Sequence, residues 1–262
     1  MITINKDNLY YLNIDKEYNI VNNLSLDNIK NTKWLEVLKK IINYILYLIY
    51  PSISSIYLRG GLLFGKTIDF HSDIDLILII NEDNYSFYYF WDEYKKEFLK
   101  KNSFVRDIDL FIIDRTTLFN DNQLMFTIKV LSKCLYGEDI SFYIKNYKLY
   151  EASFIMKDFY NNKELFKSLE NTKIFFKFVK KLIRASFELF LNKVNFYSND
   201  IDTCIKVFSI FYPNKKKEIM DLFEYINNPE NFYLENLNKD MKDKAISFCN
   251  FLVNEYFSLK ND

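Results

Sequence analysis

The chain has 262 residues and a mass of 31.8 kDa, and its 49% hydrophobic content is enough for one large or two modest domains with a sizeable core. Lys and Arg number 35 against 35 Asp and Glu, so no net field exists to hold a long polyanion such as duplex DNA, and a charged partner must be met locally. Three widely spaced cysteines (Cys134, Cys204, Cys249) argue against a disulfide framework or a zinc site; without a signal-peptide pattern or an uninterrupted apolar span, a cytoplasmic protein with no membrane segment is expected.

Residues 1–24, polar with scattered aromatics, read as an irregular or short-strand lead-in. A helix is expected from Ser25, as its cap, to Tyr50, because Leu35, Leu38, Ile42, Ile45 and Ile49 recur at helical spacing and Pro51 stops it. Ile53 to Arg59 reads as a strand, a glycine-rich turn follows, and Asp73 to Ile80 reads as a second strand buried on both faces. After a turn at 81–84 come an aromatic amphipathic helix from Tyr85 to Lys101 and a third strand from Val105 to Ile113, opening Arg106-Asp107-Ile108-Asp109. Asn122 to Cys134 is expected to be helical and Leu135 to Asp139 to form a short strand and turn. Beyond about residue 145 helical periodicity takes over, near 151–169, 172–197, 200–211, 215–227 and 239–258. The expected class is α+β: a domain over residues 1–145 with a small mixed β-sheet flanked by helices, then an α-helical bundle over 146–262.

Chemistry concentrates in the turn between the first two strands. Of four glycines, at 60, 61, 65 and 137, three fall within six residues, where backbone must bend or approach something closely. Asp73 and Asp75 follow, two apart on a strand and therefore on one side of it. Two such charges about 5 Å apart repel by about 3 kcal/mol at an effective dielectric near 20. A divalent cation between them would turn that cost into a site.

Gly60-Gly61, eleven residues, Asp73-Ile74-Asp75-Leu76, and then a later apolar strand bearing Asp109 together resemble the signature of the DNA polymerase beta nucleotidyltransferase superfamily. The fuller string Leu58-Arg59-Gly60-Gly61-Leu62-Leu63-Phe64-Gly65 with Ser72-Asp73 is similar to its small bacterial branch, which includes aminoglycoside nucleotidyltransferases. Leu135-Tyr136-Gly137, the helical stretch Lys180 to Phe187, Tyr197 to Asp200, Cys204 and Tyr212-Pro213 extend the resemblance over most of residues 55–215. It implies a nucleotidyltransferase fold in which Asp73 and Asp75 bridge two Mg2+ ions and Asp109 binds the one that activates the acceptor hydroxyl. Backbone at Gly60 and Gly61 would approach the β- and γ-phosphates of ATP or another nucleoside triphosphate. Many relatives carry a phosphate-contacting serine where this chain has Gly61, while the Gly-Gly form also occurs in the superfamily, so the resemblance leaves that one nucleotide contact open.

Several positions have two readings. Asp107 shares a strand face with Asp109 and is either the third ligand or an ion-pair partner of Arg106 or Arg115; the resemblance favours Asp109, directly before the apolar run. Ser72 contacts phosphate or caps the strand turn, Lys66 is a solvated turn residue or faces the triphosphate, and His71 is a loop residue near the nucleotide mouth. On the helix from 172, the face bearing Lys173, Lys177, Lys180, Lys181, Arg184 and Glu188 is either solvated or turns Lys181 or Arg184 toward the triphosphate, while Phe175, Phe178, Leu182 and Leu189 are core. Glu151 or Glu188 could supply a general base.

The expected activity is transfer of a nucleoside monophosphate, AMP from ATP before any other, to a hydroxyl of an acceptor. A small molecule, aminoglycoside-like, is preferred over a macromolecule as that acceptor. Modification of a protein or tRNA in the manner of a toxin, and an inactive nucleotide-binding module, are the alternatives. The module would bind nucleotide without metal dependence, but no acid of the signature is missing here.

Overall fold

The computed structural model describes residues 9–50, 52–70, 72–81, 85–161, 172–228, 231 and 239–261. The expected helix stop at Pro51, the place of His71, the turn at 82–84 and helix over 162–169 lie outside them. The chain divides into two compact units: Asn22–Asn146, which holds the sheet, and Tyr147 onward together with the segment before Asn22, which is helical.

The sheet unit begins with a 3-10 turn, Leu26–Asn28, and then α1, Thr32–Ile49. Ser25 caps the short turn by accepting from the Asp27 amide, and Asn31 caps α1 by accepting from the Lys33 amide, so α1 starts six residues later than periodicity suggests. Trp34, Val37, Leu38, Ile41, Ile45 and Ile49 form its buried stripe. β1 (Ile53–Arg59), β2 (Asp73–Ile80), β3 (Asp107–Asp114) and β4 (Ser132–Gly137) make one mixed sheet in the order β3-β2-β1-β4. β1 runs antiparallel to β2 and β4, and β2 runs parallel to β3. The parallel pair needs a crossover, which α2, Tyr85–Lys101, supplies.

After β3, Asp114 caps α3, Arg115–Asn120, a helix the apolar pattern does not announce, and Asp121 caps α4, Asn122–Leu131. α4 ends earlier than expected because Ser132, Lys133 and Cys134 pair with β1, and the Ser132 hydroxyl donates to the Thr127 carbonyl.

The helical unit contains α5 (Phe154–Asn161), α6 (Thr172–Glu188), α7 (Ile201–Phe211), α8 (Lys216–Asn227) and α9 (Lys239–Asn261). Phe175, Phe187, Phe190, Phe208 and Phe248 are almost fully buried: Phe208 of α7 packs on Phe190 and on Phe248 of α9, Phe175 on Tyr225 of α8, and Phe187 on Phe196 and Tyr197. α6 stops at Glu188 instead of running to 197, because the chain must turn at Leu189–Lys193 to bring Tyr197 against Leu12. Leu12 and Tyr197 exchange backbone hydrogen bonds of 2.7 and 3.0 Å, and Ile20 donates to the Tyr147 carbonyl at 2.9 Å. Those long-range pairings attach residues 9–21 to the helices, an association that the local pattern of the lead-in does not carry.

The architecture is α+β, with a small mixed four-stranded sheet and a helical C-terminal part, as expected. Among the described residues no helix is long and apolar enough to cross a membrane.

Candidate active site

Register builds the site. β2 and β3 align Asp73 with Asp107 and Asp75 with Asp109, while β1 aligns Arg59 with Asp75 and β4 aligns Ser132 with Arg59. Residues two apart on a strand, and residues paired across strands, share a face, so four carboxylates and one arginine stand on one face at the same end of the sheet. Neighbouring strands are about 4.8 Å apart and alternate residues about 6.6 Å, which sets the spacing of the acids' Cα atoms. The next row inward on this face, Phe111, Ile77, Tyr57 and Cys134, is dominated by apolar side chains. There the Tyr57 hydroxyl donates to Asp139 at 3.0 Å, and burial pushes its pKa far above the ordinary value. Charge is confined to the first two rows.

The turn before β2 is shaped around one carboxylate. Gly60 has φ +84° and ψ −166°, a region essentially closed to other residues, and a Cβ there would stand 2.4 Å from Asp75 Oδ2. Gly60 is therefore required both for its dihedral angles and for the space its hydrogen leaves to Asp75. Gly61 is different: it is exposed, and a Cβ would meet the Lys66 carbonyl at 3.4 Å and the Lys66 Cβ at 3.8 Å, both ordinary contacts. A 3-10 turn, Gly61–Phe64, follows, and the Lys66 amide donates to the Gly61 carbonyl at 3.0 Å. Lys66 is half-buried at the foot of this loop.

The rest of the loop is pinned to the unit's frame. Asp69 pairs with Lys33, whose hydrogen bond holds the carboxyl below its ordinary pKa, and accepts from Trp34 Nε1 at 3.4 Å. Phe70, at φ +67°, donates its amide to the Phe104 carbonyl at 2.7 Å. The Ser72 hydroxyl accepts from the Ile68 amide at 2.8 Å, and its carbonyl accepts from Arg106 at 3.0 Å. Ser72 thus closes the turn, which is one of its two expected roles; as an acceptor it retains its own O–H to donate.

Cations already stand on two of the acids. Arg106 grips Asp73 bidentately, Nε to Oδ1 at 2.8 Å and Nη2 to Oδ2, with both side chains at least two-thirds buried. Lys95 of α2 lies 2.7 Å from Asp107 Oδ1, which also accepts from the Ile108 amide. Arg115, the other partner considered for Asp107, pairs with Glu138 at 2.7 Å. With Asp73 turned to Arg106 and Asp107 to Lys95, no three His, Cys, Asp or Glu side chains among the described residues converge on one metal-sized point. The donor set nevertheless fits hard divalent cations. It is all carboxylate oxygen, and only a glycine at position 60 lets Asp75 Oδ2 pack against the turn, where a Cβ would stand 2.4 Å from it. Asp75, Asp109 and, on exchange of its arginine, Asp73 are the residues that would hold them.

Lys181 and Arg184 lie on α6 in the helical unit. Lys181 is half-exposed and 4.0 Å from Asp158, and Arg184 Nε donates to the Asn199 carbonyl at 3.1 Å. Both carboxylates considered as general bases bind backbone. Glu151 accepts from the Lys148 amide at 3.0 Å, and the buried Glu188 takes the Ile155 and Met156 amides at 3.2 and 2.8 Å at the start of α5. Burial pushes Glu188 up to about 8 against the pull of those donors. Two residues of the site carry no local signal of their role: the sequence places Arg106 beside Asp107, not Asp73, and Arg59 inside the glycine motif. Arg59 falls on the acid face because it is two residues beyond Tyr57 on β1, an alternation visible in sequence once β1 is paired with β2.

No family model and no curated protein matches the chain. Among solved structures it is similar to the spectinomycin adenyltransferase AAD(9) from an Enterococcus, crystallised with ATP and spectinomycin. The TM-score is 0.51 at 15% identity, with 87% of this chain and 100% of that chain covered. A likeness at this identity is one of fold: the chain shares the fold of that adenyltransferase.

Proposed function

We propose that the chain is a metal-dependent nucleotidyltransferase that moves AMP from ATP to a hydroxyl of a small, cationic, aminoglycoside-like acceptor. The observation that carries this reading is the parallel β2–β3 register, which sets Asp75 beside Asp109 and Asp73 one row away, with Gly60 backed against Asp75. Two Mg2+ ions on these acids would neutralise charge on the attacking and leaving oxygens. The acceptor oxygen bonds to the α-phosphorus, the bond from that phosphorus to the bridging oxygen breaks, pyrophosphate leaves, and the hydroxyl proton passes to a base.

Gly60 and Gly61 let backbone amides approach the phosphates, and Ser72 and Lys66 border the same turn. Asp73, released from the Arg106 guanidinium, would be a further carboxylate to hold a cation. Lys181 and Arg184 are proposed as further cations for the triphosphate. Support for ATP and a small acceptor comes from AAD(9), solved with ATP and spectinomycin.

The test is incubation of the purified chain with radiolabelled ATP, Mg2+ and a panel of aminoglycosides, aminocyclitols and other small hydroxyl compounds. Label should move to an acceptor, and Asp73→Asn and Asp109→Asn should each lower the rate on the order of 10³-fold. Transfer to protein or tRNA instead would move the acceptor to a macromolecule. Nucleotide binding that is indifferent to metal and to Asp75→Asn would leave a binding module in place of an enzyme.

A further inference from the structure

Arg59 is the last residue of β1 and the immediate neighbour of Gly60. Its Nε is buried without a hydrogen-bond partner, and the side chain makes no hydrogen bond or ion pair among the described residues. The two polar residues beside it across the sheet are engaged elsewhere. Asp75 presents Oδ2 over Gly60, and the Ser132 hydroxyl donates to the Thr127 carbonyl. A guanidinium carries five donors in a planar fork and keeps its charge at any physiological pH, so leaving one buried donor unmet costs stability unless a ligand meets it.

We propose that Arg59 is an anion-binding residue of this site, taking the β- and γ-phosphates of the nucleotide and the pyrophosphate as it leaves. The inference rests on the proposed transferase reading and assigns its leaving-group side. Across one row the sheet reads Asp109, Asp75, Arg59, two strand spacings or about 10 Å from acid to cation. A triphosphate with its α-phosphorus near the two acids, and its chain directed along the row, brings its terminal phosphates to Arg59. The Gly60-Gly61 backbone lies alongside, with no Cβ between it and the anion. Planar, paired N–H donors suit phosphate oxygens, and the carboxylates on the other strands repel the same oxygens toward this end.

Inorganic tripolyphosphate with Mg2+ is the probe, titrated into the full chain as wild type, Arg59→Met and Arg59→Lys, with adenosine as the control ligand. Thermal unfolding is followed with and without the probe. The expected result is a ligand-free Arg59→Met variant at least as stable as wild type, because the unmet donor is gone. Its tripolyphosphate affinity should fall about tenfold or more, the stabilisation by the probe should be lost, and adenosine binding should stay unchanged. Arg59→Lys should fall between. A ligand-free Arg59→Met that is destabilised, with unchanged probe affinity, would make Arg59 a structural residue and overturn the inference. Probe binding that depends on Arg59 in a protein without transferase activity would retain the anion site and discard the transferase. Transfer activity with equal probe affinity in wild type and Arg59→Met would do the reverse.

Discussion

In the helical unit the buried Glu188 carboxylate takes two amides of α5, Asp200 caps α7 through the Thr203 amide, and Arg184 reaches the Asn199 carbonyl. On the acid face of the sheet unit, four carboxylates share one end of two strands, and Arg59 has a buried donor that nothing among the described residues meets. Gly60 there holds dihedral angles that cost most residues free energy. Polar groups in the first region serve the fold, closing helix ends that would otherwise waste hydrogen bonds. In the second they are arranged against stability, which is a sign of a ligand site. The difference separates two arginines that sequence alone would treat alike, Arg184 serving backbone and Arg59 left open.

Gly60→Ala should produce the largest effect on the sheet side. Forcing a Cβ into Asp75 at that φ should cost about 1–3 kcal/mol in urea unfolding and abolish transfer together with it. Full activity in that variant would remove the close packing of Gly60 on Asp75 from the site.

The helical side is broken through pH. Glu188 binds its proton more tightly folded, at about 8, than at its ordinary 4.5, so the folded state holds the extra proton between those values. Stability should therefore fall as pH rises from about 4.5 to about 8, and Glu188→Gln should flatten that slope in urea titrations taken across the range. A wild-type slope of the opposite sign would mean that the two amide donors outweigh burial.

A smaller change is expected at Arg106. Arg106→Ala frees Asp73 and should tighten Mn2+ binding to the nucleotide-free protein by about threefold to tenfold in calorimetric titration. Unchanged affinity would detach Asp73 from the metal. Smallest of all, Gly61→Ser should fold within about 0.5 kcal/mol of wild type, since its Cβ has room. Any gain in its affinity for ATP measures the phosphate contact that glycine leaves out.

Much of the sheet and its acids is legible along the chain because the signals are local and covalent. The apolar run from Ile74 to Ile80, the alternation that puts Asp73 with Asp75 and Asp107 with Asp109, and glycines clustered before β2 depend only on spacing. Helix ends are less legible. Ser25 looks like a cap as much as Asn31 does, and which one starts α1 depends on where Trp34 and Ile41 find a core. The apolar pattern through Leu189 and Val194 is equally helical, yet the chain turns there to meet Leu12.

By itself, then, the amino-acid order determined an α+β chain with an acidic strand end beside a glycine turn, because periodicity and backbone freedom are properties of neighbouring residues. Only the tertiary structure decided which charges meet. Lys95 comes to Asp107 from α2, Arg106 comes to Asp73 from the residue before β3, and Arg59 is carried to the acid face by the β1–β2 register and left without a partner among the described residues. An ion pair between residues 33 apart, like that of Arg106 with Asp73, is set by the pairing of strands rather than by anything written next to either residue.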